Sequence, residues 1–236
     1  MTVFTLTAEV DPFLHVALQK GEKIFCEAGA MVMMESTLEL KGKLNGGVGR
    51  ALLQHFANGE SFFRQHIEAV RGAGDCLLSA SLPGGMQILD VGSTQYFLND
   101  GAFVAATEQV DLKVRTQALG NALFAQSGGF FVMETAGKGQ VVVAGLGAIY
   151  SLEVEVGKDL IIDNAHVVCW DNRLQHQISV TTSQNRGGLG GMLGNLVNSF
   201  TSGEGVVLRF SGTGKVYICS RNPASFSRLI QKAMGS

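Results

Sequence analysis

Two blocks of sequence occur three times each, in the same order and at similar spacings, and a chain written that way is predicted to fold as repeated copies of one unit. The first block is FCEAGAMVMMESTLEL from Phe25, FLNDGAFVAATEQVDL from Phe97 and IIDNAHVVCWDNRLQH from Ile161, with starts 72 and 64 residues apart. Each copy gives an apolar pair, a turn rich in Asx and Glx, a small residue, an apolar run, and a polar turn into a further run. The second block is GESFFRQHIEAVRGAGDCLL, GGFFVMETAGKGQVVV and GEGVVLRFSGTGKVYICS. It carries the pairs Gly72 and Gly74, Gly137 and Gly139, and Gly212 and Gly214, at steps of 65 and 75 residues. In a chain with 31 glycines a single G-x-G says nothing, whereas recurrence of both blocks does.

Within the blocks the local pattern is that of strands. VVLRFSGTGKVYIC and FFVMETAGKGQVVVA place β-branched and aromatic residues on both sides of a Gly-x-Gly turn, and FFRQHIEAVRGAGDCLL does so with a longer hairpin. Glycine suits these turns because it reaches positive φ without a Cβ penalty, which makes Gly74, Gly139 and Gly214 the repeated turn positions. Only Pro12, Pro83 and Pro223 interrupt the chain. The expected fold is all-β: three consecutive β-sandwich units, residues 1–84, 85–147 and 148–236, forming one compact triplicated domain with short covering helices and a C-terminal helix.

The covering helices are read from periodicity. Leu189, Met192, Leu193, Leu196, Val197 and Phe200 fall at offsets 0, 3, 4, 7, 8 and 11, the spacing of a helix stripe. Val48, Ala51, Leu52 and Phe56 repeat it weakly in the first unit. Neither GxxxxGK[ST] nor a strand-to-helix GxGxxG occurs, so these glycine-rich stretches do not read as phosphate loops. No charge lies between Arg186 and Glu204, and the side opposite the stripe is Gly190, Gly191, Gly194, Asn195 and Asn198. A helix that only covered its own sheet would keep a charged outer face. Leu189, Gly191, Met192, Gly194 and Phe200 are therefore the interaction candidates, facing another subunit or a membrane surface. At the C-terminus Asn222 is placed as N-cap and Pro223 at the first helical position, with Phe226, Leu229, Ile230, Ala233 and Met234 on one stripe.

Charged residues make up 16% of the chain, against about 25% in an ordinary soluble domain. So small a charged surface predicts that part of it is covered by a partner, and a homo-oligomer is expected. The net charge of −2, with 18 scattered Lys and Arg, argues against nucleic acid. The start of the sequence has no basic n-region, and Glu9 and Asp11 interrupt it, which reads as cytoplasmic. Cys26, Cys76, Cys169 and Cys219 form no CxxC pair and read as buried reduced thiols, with a disulfide framework or zinc site as the alternatives. His15, His55, His66, His166 and His176 show no HxH or HExxH spacing, and no GxSxG elbow occurs. Glu60 and Glu204 sit in equivalent Gly-Glu pairs and read as turn hydrogen-bonding groups, with a catalytic carboxylate pair as the alternative. Trp170 reads as core. No catalytic residue, cofactor or metal is assigned.

The succession GEKIFCEAGAMV, GESFF, LPGGMQIL, FLNDGAFVA, GKGQVVVAGLGAI, DNAHVVCW, NRGGLGG and SGEGVVLRFSGTGKVYICS resembles, over nearly the full length, the family named for altered inheritance of mitochondria (member twenty-four). The resemblance implies three fused β units similar to that of the trp RNA-binding attenuation protein, arranged about a pseudo-threefold axis. It implies a link to mitochondrial inner-membrane organisation for members with additional sequence, and it supplies no catalytic residues. The expected function is a non-catalytic oligomeric scaffold or adaptor, not an enzyme; the alternative is a small-ligand or nucleic-acid binding module. Peripheral membrane contact stays open.

Overall fold

The computed structural model describes residues 2–42, 65–117, 130–180 and 206–235. Strand β1 (Val3–Leu6) precedes three groups of six strands. The first is β2 (Leu14–Leu18), β3 (Lys23–Cys26), β4 (Met31–Met34), β5 (Glu39–Lys41), β6 (Gln65–Glu68) and β7 (Gly74–Leu78). The second is β8 (Met86–Val91), β9 (Tyr96–Asn99), β10 (Phe103–Thr107), β11 (Val110–Gln117), β12 (Phe130–Gly137) and β13 (Gly139–Ala144). The third is β14 (Ile149–Val154), β15 (Leu160–Asp163), β16 (Val167–Asp171), β17 (Gln175–Val180), β18 (Val206–Ser211) and β19 (Gly214–Cys219). Helix α1 (Pro223–Met234) follows. The chain is all-β apart from this helix and a short 3-10 turn at Asn164–His166, among the described residues.

Each group uses one antiparallel pairing scheme. Its first strand pairs with its sixth and the sixth with the third, as in β2–β7–β4, β8–β13–β10 and β14–β19–β16. Its second pairs with its fifth and the fifth with the fourth. The third strand of every group carries a bulge against the sixth: between Met31 and Met33, Phe103 and Ala105, and Val167 and Cys169. The inserted residues are Val32, Val104 and Val168. A bulge bends its strand and raises local twist, so recurrence at one register position is a feature of the unit.

The sheets cross the borders between groups. β3 pairs with β10 and β9 pairs with β16, so each six-stranded sheet takes three strands from one group and three from the next. The outcome among the described residues is four sheets in the orders β1-β2-β7-β4, β5-β6-β3-β10-β13-β8, β11-β12-β9-β16-β19-β14 and β15-β18-β17. Neighbouring groups are thus joined through shared sheets.

Three buried clusters fill the spaces between successive sheets. The first joins Leu14, Val16 and Leu78 to Ile24, Ile67 and Val142. The second joins Phe103, Val141 and Val143 to Leu98, Met133 and Cys169. The third joins Trp170 and Val216 to Ile162, Leu208 and Phe210. An inner strand such as β13 therefore sends Val142 to one core and its neighbours to the next, which is why its sequence is a continuous apolar run. β2 and β7 lie in an outer sheet and alternate buried with half-buried residues. The stretches near Pro83 and Gly147, expected as the breaks between units, lie side by side: Gly147 N–H donates to Pro83 O at 3.1 Å and Gly85 N–H to Gly147 O at 2.6 Å.

Helix α1 forms where expected. Its cap is made by Asn222, whose side-chain oxygen accepts from Ser225 N–H at 3.2 Å. Its stripe does not cover the sheets, however, since Leu229, Ile230 and Met234 are exposed. The segment with Leu189, Gly191, Met192, Gly194 and Phe200 lies outside the described residues, as do Val48 to Phe56, Glu60 and Glu204.

Candidate functional site

The three repeated glycines each open the sixth strand of a group, and in each case the turn between the third and fourth strands packs on them. A Cβ on Gly74 would come 3.0 Å from Glu35 Oε2 and 3.1 Å from Leu38 Cδ2. On Gly214 it would come 3.0 Å from Asp171 Cβ and 3.1 Å from Leu174 Cγ, and on Gly139 3.1 Å from Val110 Cγ2. Glycine is required here for close approach of the turn. In two groups the turn's polar residue also accepts a hydrogen bond from the residue after the glycine: Glu35 Oε2 from Asp75 N–H at 3.2 Å and Thr107 Oγ1 from Gln140 N–H at 3.0 Å.

The third group departs from this pattern, and a polar pocket lies at the departure. Asp171, last residue of β16, is buried, and its carboxylate accepts from Arg173 N–H at 2.9 Å and Arg173 Nε–H at 3.0 Å. Burial pushes this carboxyl up, but the hydrogen bonds and charge of Arg173 outweigh it and hold the group below its ordinary range. Opposite Asp171 in the strand ladder stands Tyr96 of β9, whose ring meets Tyr217 of β19 edge-on at 6.4 Å between centroids. Burial raises both phenols, Tyr96 to about 12, so both hydroxyls stay neutral. Lys215 and Glu153 pair at 3.1 Å at the exposed side. With Thr94, Thr213 and Gly214 these residues line a cavity of about 590 Å3.

The molecule carries its own comparison for this pocket. In the other six-stranded sheet the same register positions are Ile24 opposite Thr107, Val142 opposite Ala105, and Gln140 opposite Asp90. Tyr96 and Tyr217 thus stand where that sheet has Ile24 and Val142, and Asp171 where it has Thr107. Aligning the three first blocks would have exposed Asp171 as an acid in a column with Thr107 and Glu35, and Tyr96 as the polar member of a column with Ile24 and Leu160. None of the five pocket residues Tyr96, Asp171, Arg173, Lys215 and Tyr217 follows from a catalytic or binding motif.

The remaining chemistry is dispersed among the described residues. His176 meets Trp170 and Phe97 edge-on, with ring centroids 5.2 and 5.9 Å away, and burial lowers its pKa. His66 lies against Phe25 at 4.6 Å, His166 Nδ1 is 2.7 Å from Cys219 O, and His15 is 3.5 Å from Asp75. Among the described residues no three His, Cys, Asp or Glu side chains converge as metal ligands. All four cysteines are buried free thiols, and burial raises each of them, Cys26 and Cys76 to about 12. Trp170 is fully buried core, as expected. No helix among the described residues is long and apolar enough to cross a membrane.

Comparison with known proteins places this architecture. An uncharacterized protein of Streptococcus pyogenes serotype M6 is 33% identical over 227 residues, which cover 94% of this chain and 86% of that protein. The crystal structure of protein SPYM3_0169 from Streptococcus pyogenes superposes with a TM-score of 0.79 at 30% identity, covering 99% of this chain and all of that one. Residues 4–221 match the family model described as Mitochondrial biogenesis AIM24, and the chain belongs to that family.

Proposed function

We propose that this protein is a non-catalytic, oligomeric β scaffold built from three units like that of the trp RNA-binding attenuation protein, working in the cytoplasm. The observation that carries this reading is the pairing scheme that recurs with its bulge in all three groups of strands. A repeated unit presents a repeated surface, which suits assembly more than one-off chemistry. The reactive groups point the same way. The thiols are protonated and buried, and the Asp171 carboxylate is held by Arg173. The free thiols also suit a reducing compartment. The family description, mitochondrial biogenesis, names no reaction and is compatible with a structural role. Light scattering on the purified chain is expected to give a mass of at least twice 25.0 kDa at micromolar concentration. A mass of 25.0 kDa would refute the oligomeric part of the proposal.

A second reading rests on the pocket, which occupies one place in a repeated framework. Its charges are paired, Asp171 with Arg173 and Glu153 with Lys215, so the balance suits a neutral or zwitterionic polar ligand, and the phenols of Tyr96 and Tyr217 supply hydrogen bonds. Thermal-shift measurements with free amino acids and monosaccharides are expected to find a stabilising compound whose effect is lost in Tyr217→Phe and Arg173→Ala. A compound that stabilises these variants as well as the wild type would place binding elsewhere.

A further inference from the structure

Two tyrosines stand where the fold does not ask for a polar group. The other six-stranded sheet reaches the same register with Ile24 and Val142 in place of Tyr96 and Tyr217, so the strand pairing requires neither phenol. Each tyrosine is 8% exposed, and both line the cavity of about 590 Å3. Among the described residues neither hydroxyl has a hydrogen-bond partner. A buried phenol is normally satisfied, and here the cavity is where its partner enters.

Resting on the pocket reading, we infer that the cavity is a saccharide site, taking a neutral, polyhydroxylated ligand whose hydroxyls bridge the phenols of Tyr96 and Tyr217 to Arg173 and Lys215. Charge sets aside the ionic classes. The Asp171 side chain is 4% exposed and holds Arg173 through its backbone N–H, Nε–H and Nη2–H, while Lys215 is paired with Glu153. An anion would meet two carboxylates and a cation two bases. An amino-acid zwitterion would have to part Asp171 from Arg173, leaving a buried carboxylate uncompensated. A hydroxyl donates and accepts at once, so a polyol is served by paired charges without separating them. Donors remain for it. Among the described residues Arg173 Nη1 makes no hydrogen bond, and Tyr96 is near enough to Arg173, and Tyr217 to Lys215, for their charges to interact. The hydroxyls of Thr94 and Thr213 add to the same wall, and the lining has no aliphatic side chain to receive an apolar group. The volume lies within the range of small-molecule sites, about 300–1,000 Å3.

The test uses the full chain and ligand-observed NMR with glucose, galactose, N-acetylglucosamine and maltose, and in parallel with glycine and serine. At least one sugar is expected to bind, with an affinity that holds from low to high salt because no net charge is neutralised. Tyr96→Phe and Tyr217→Phe each remove only a hydroxyl, so circular dichroism and the thermal midpoint should stay as in the wild type, while the affinity falls about 2- to 10-fold in each. Three results would overturn the inference. One is a sugar bound equally well by both variants, which places binding outside the cavity. Another is an amino acid bound in place of the sugars and weakened in the variants, which keeps the pocket reading and replaces the ligand class. The last is no response to any probe, which sinks the pocket reading as well.

Discussion

Gly84→Ala is expected to cost about 3–5 kcal/mol and to lower the thermal midpoint by about 10 °C, measured by scanning calorimetry. Gly84 has φ +153°, a conformation that L side chains rarely adopt. A Cβ there would lie 2.6 Å from Gly147 O and also against Gly145 O and Gly147 N, all of them backbone atoms. No rotamer change relieves that clash. The stretches around Gly84 and Gly147 are the links between consecutive groups of strands, and they hold one another through the bond from Gly147 N–H to Pro83 O. Separating them would disturb both six-stranded sheets at once. Gly29→Ala is the control. Gly29 also has positive φ, at +89°, but nothing lies within 4 Å of the added carbon, so only backbone strain is added and the effect should be clearly smaller. Equal effects at the two positions would show that packing at the link is not what matters.

Trp170→Ala is expected to be as severe, at about 3–5 kcal/mol, because it empties the centre of the third core. The indole is fully buried, with Phe210 at 5.5 Å and Phe97 at 5.7 Å between ring centroids. It is contributed by β16, a strand buried along its whole length, so the cavity has walls on both sides and little room to collapse. Trp170→Phe should cost much less. The indole Nε1 is buried with no hydrogen-bond partner in the structure, and phenylalanine removes that uncompensated donor along with some volume. Urea unfolding of the two variants checks the order. A phenylalanine variant as unstable as the alanine one would show that the site requires the indole itself and not an apolar ring filling the core.

The repeat was legible because each unit writes the same local instructions. The apolar pair, the small residue near the bulge, the acidic or hydroxyl turn and the opening glycine of the sixth strand recur in the same order, so Phe25, Phe97 and Ile161 fall on β3, β9 and β15. The burial of β10 and β16 on both faces was likewise written as unbroken apolar runs, and the cap at Asn222 as a local side-chain preference. The sharing of sheets between groups was not legible. Whether β3 ladders with a strand of its own group or with β10 depends on long-range packing, and the alternation inside β3 is the same in either case. The pocket was hidden for the same reason. Tyr96, Asp171 and Tyr217 are far apart in sequence and meet only when β9, β16 and β19 pair. The exposure of the stripe on α1 also escaped prediction, since periodicity defines a face and not what lies against it.

The central claim is that the chain is a β scaffold that uses one strand-pairing scheme three times and works as an oligomer. An electron cryo-microscopy map of the purified assembly tests this most directly. The account predicts a particle of more than one chain, each chain holding three groups of six strands with the third strand of every group bulged against the sixth. A map of single chains, or one in which the three groups follow different pairing schemes, would contradict it.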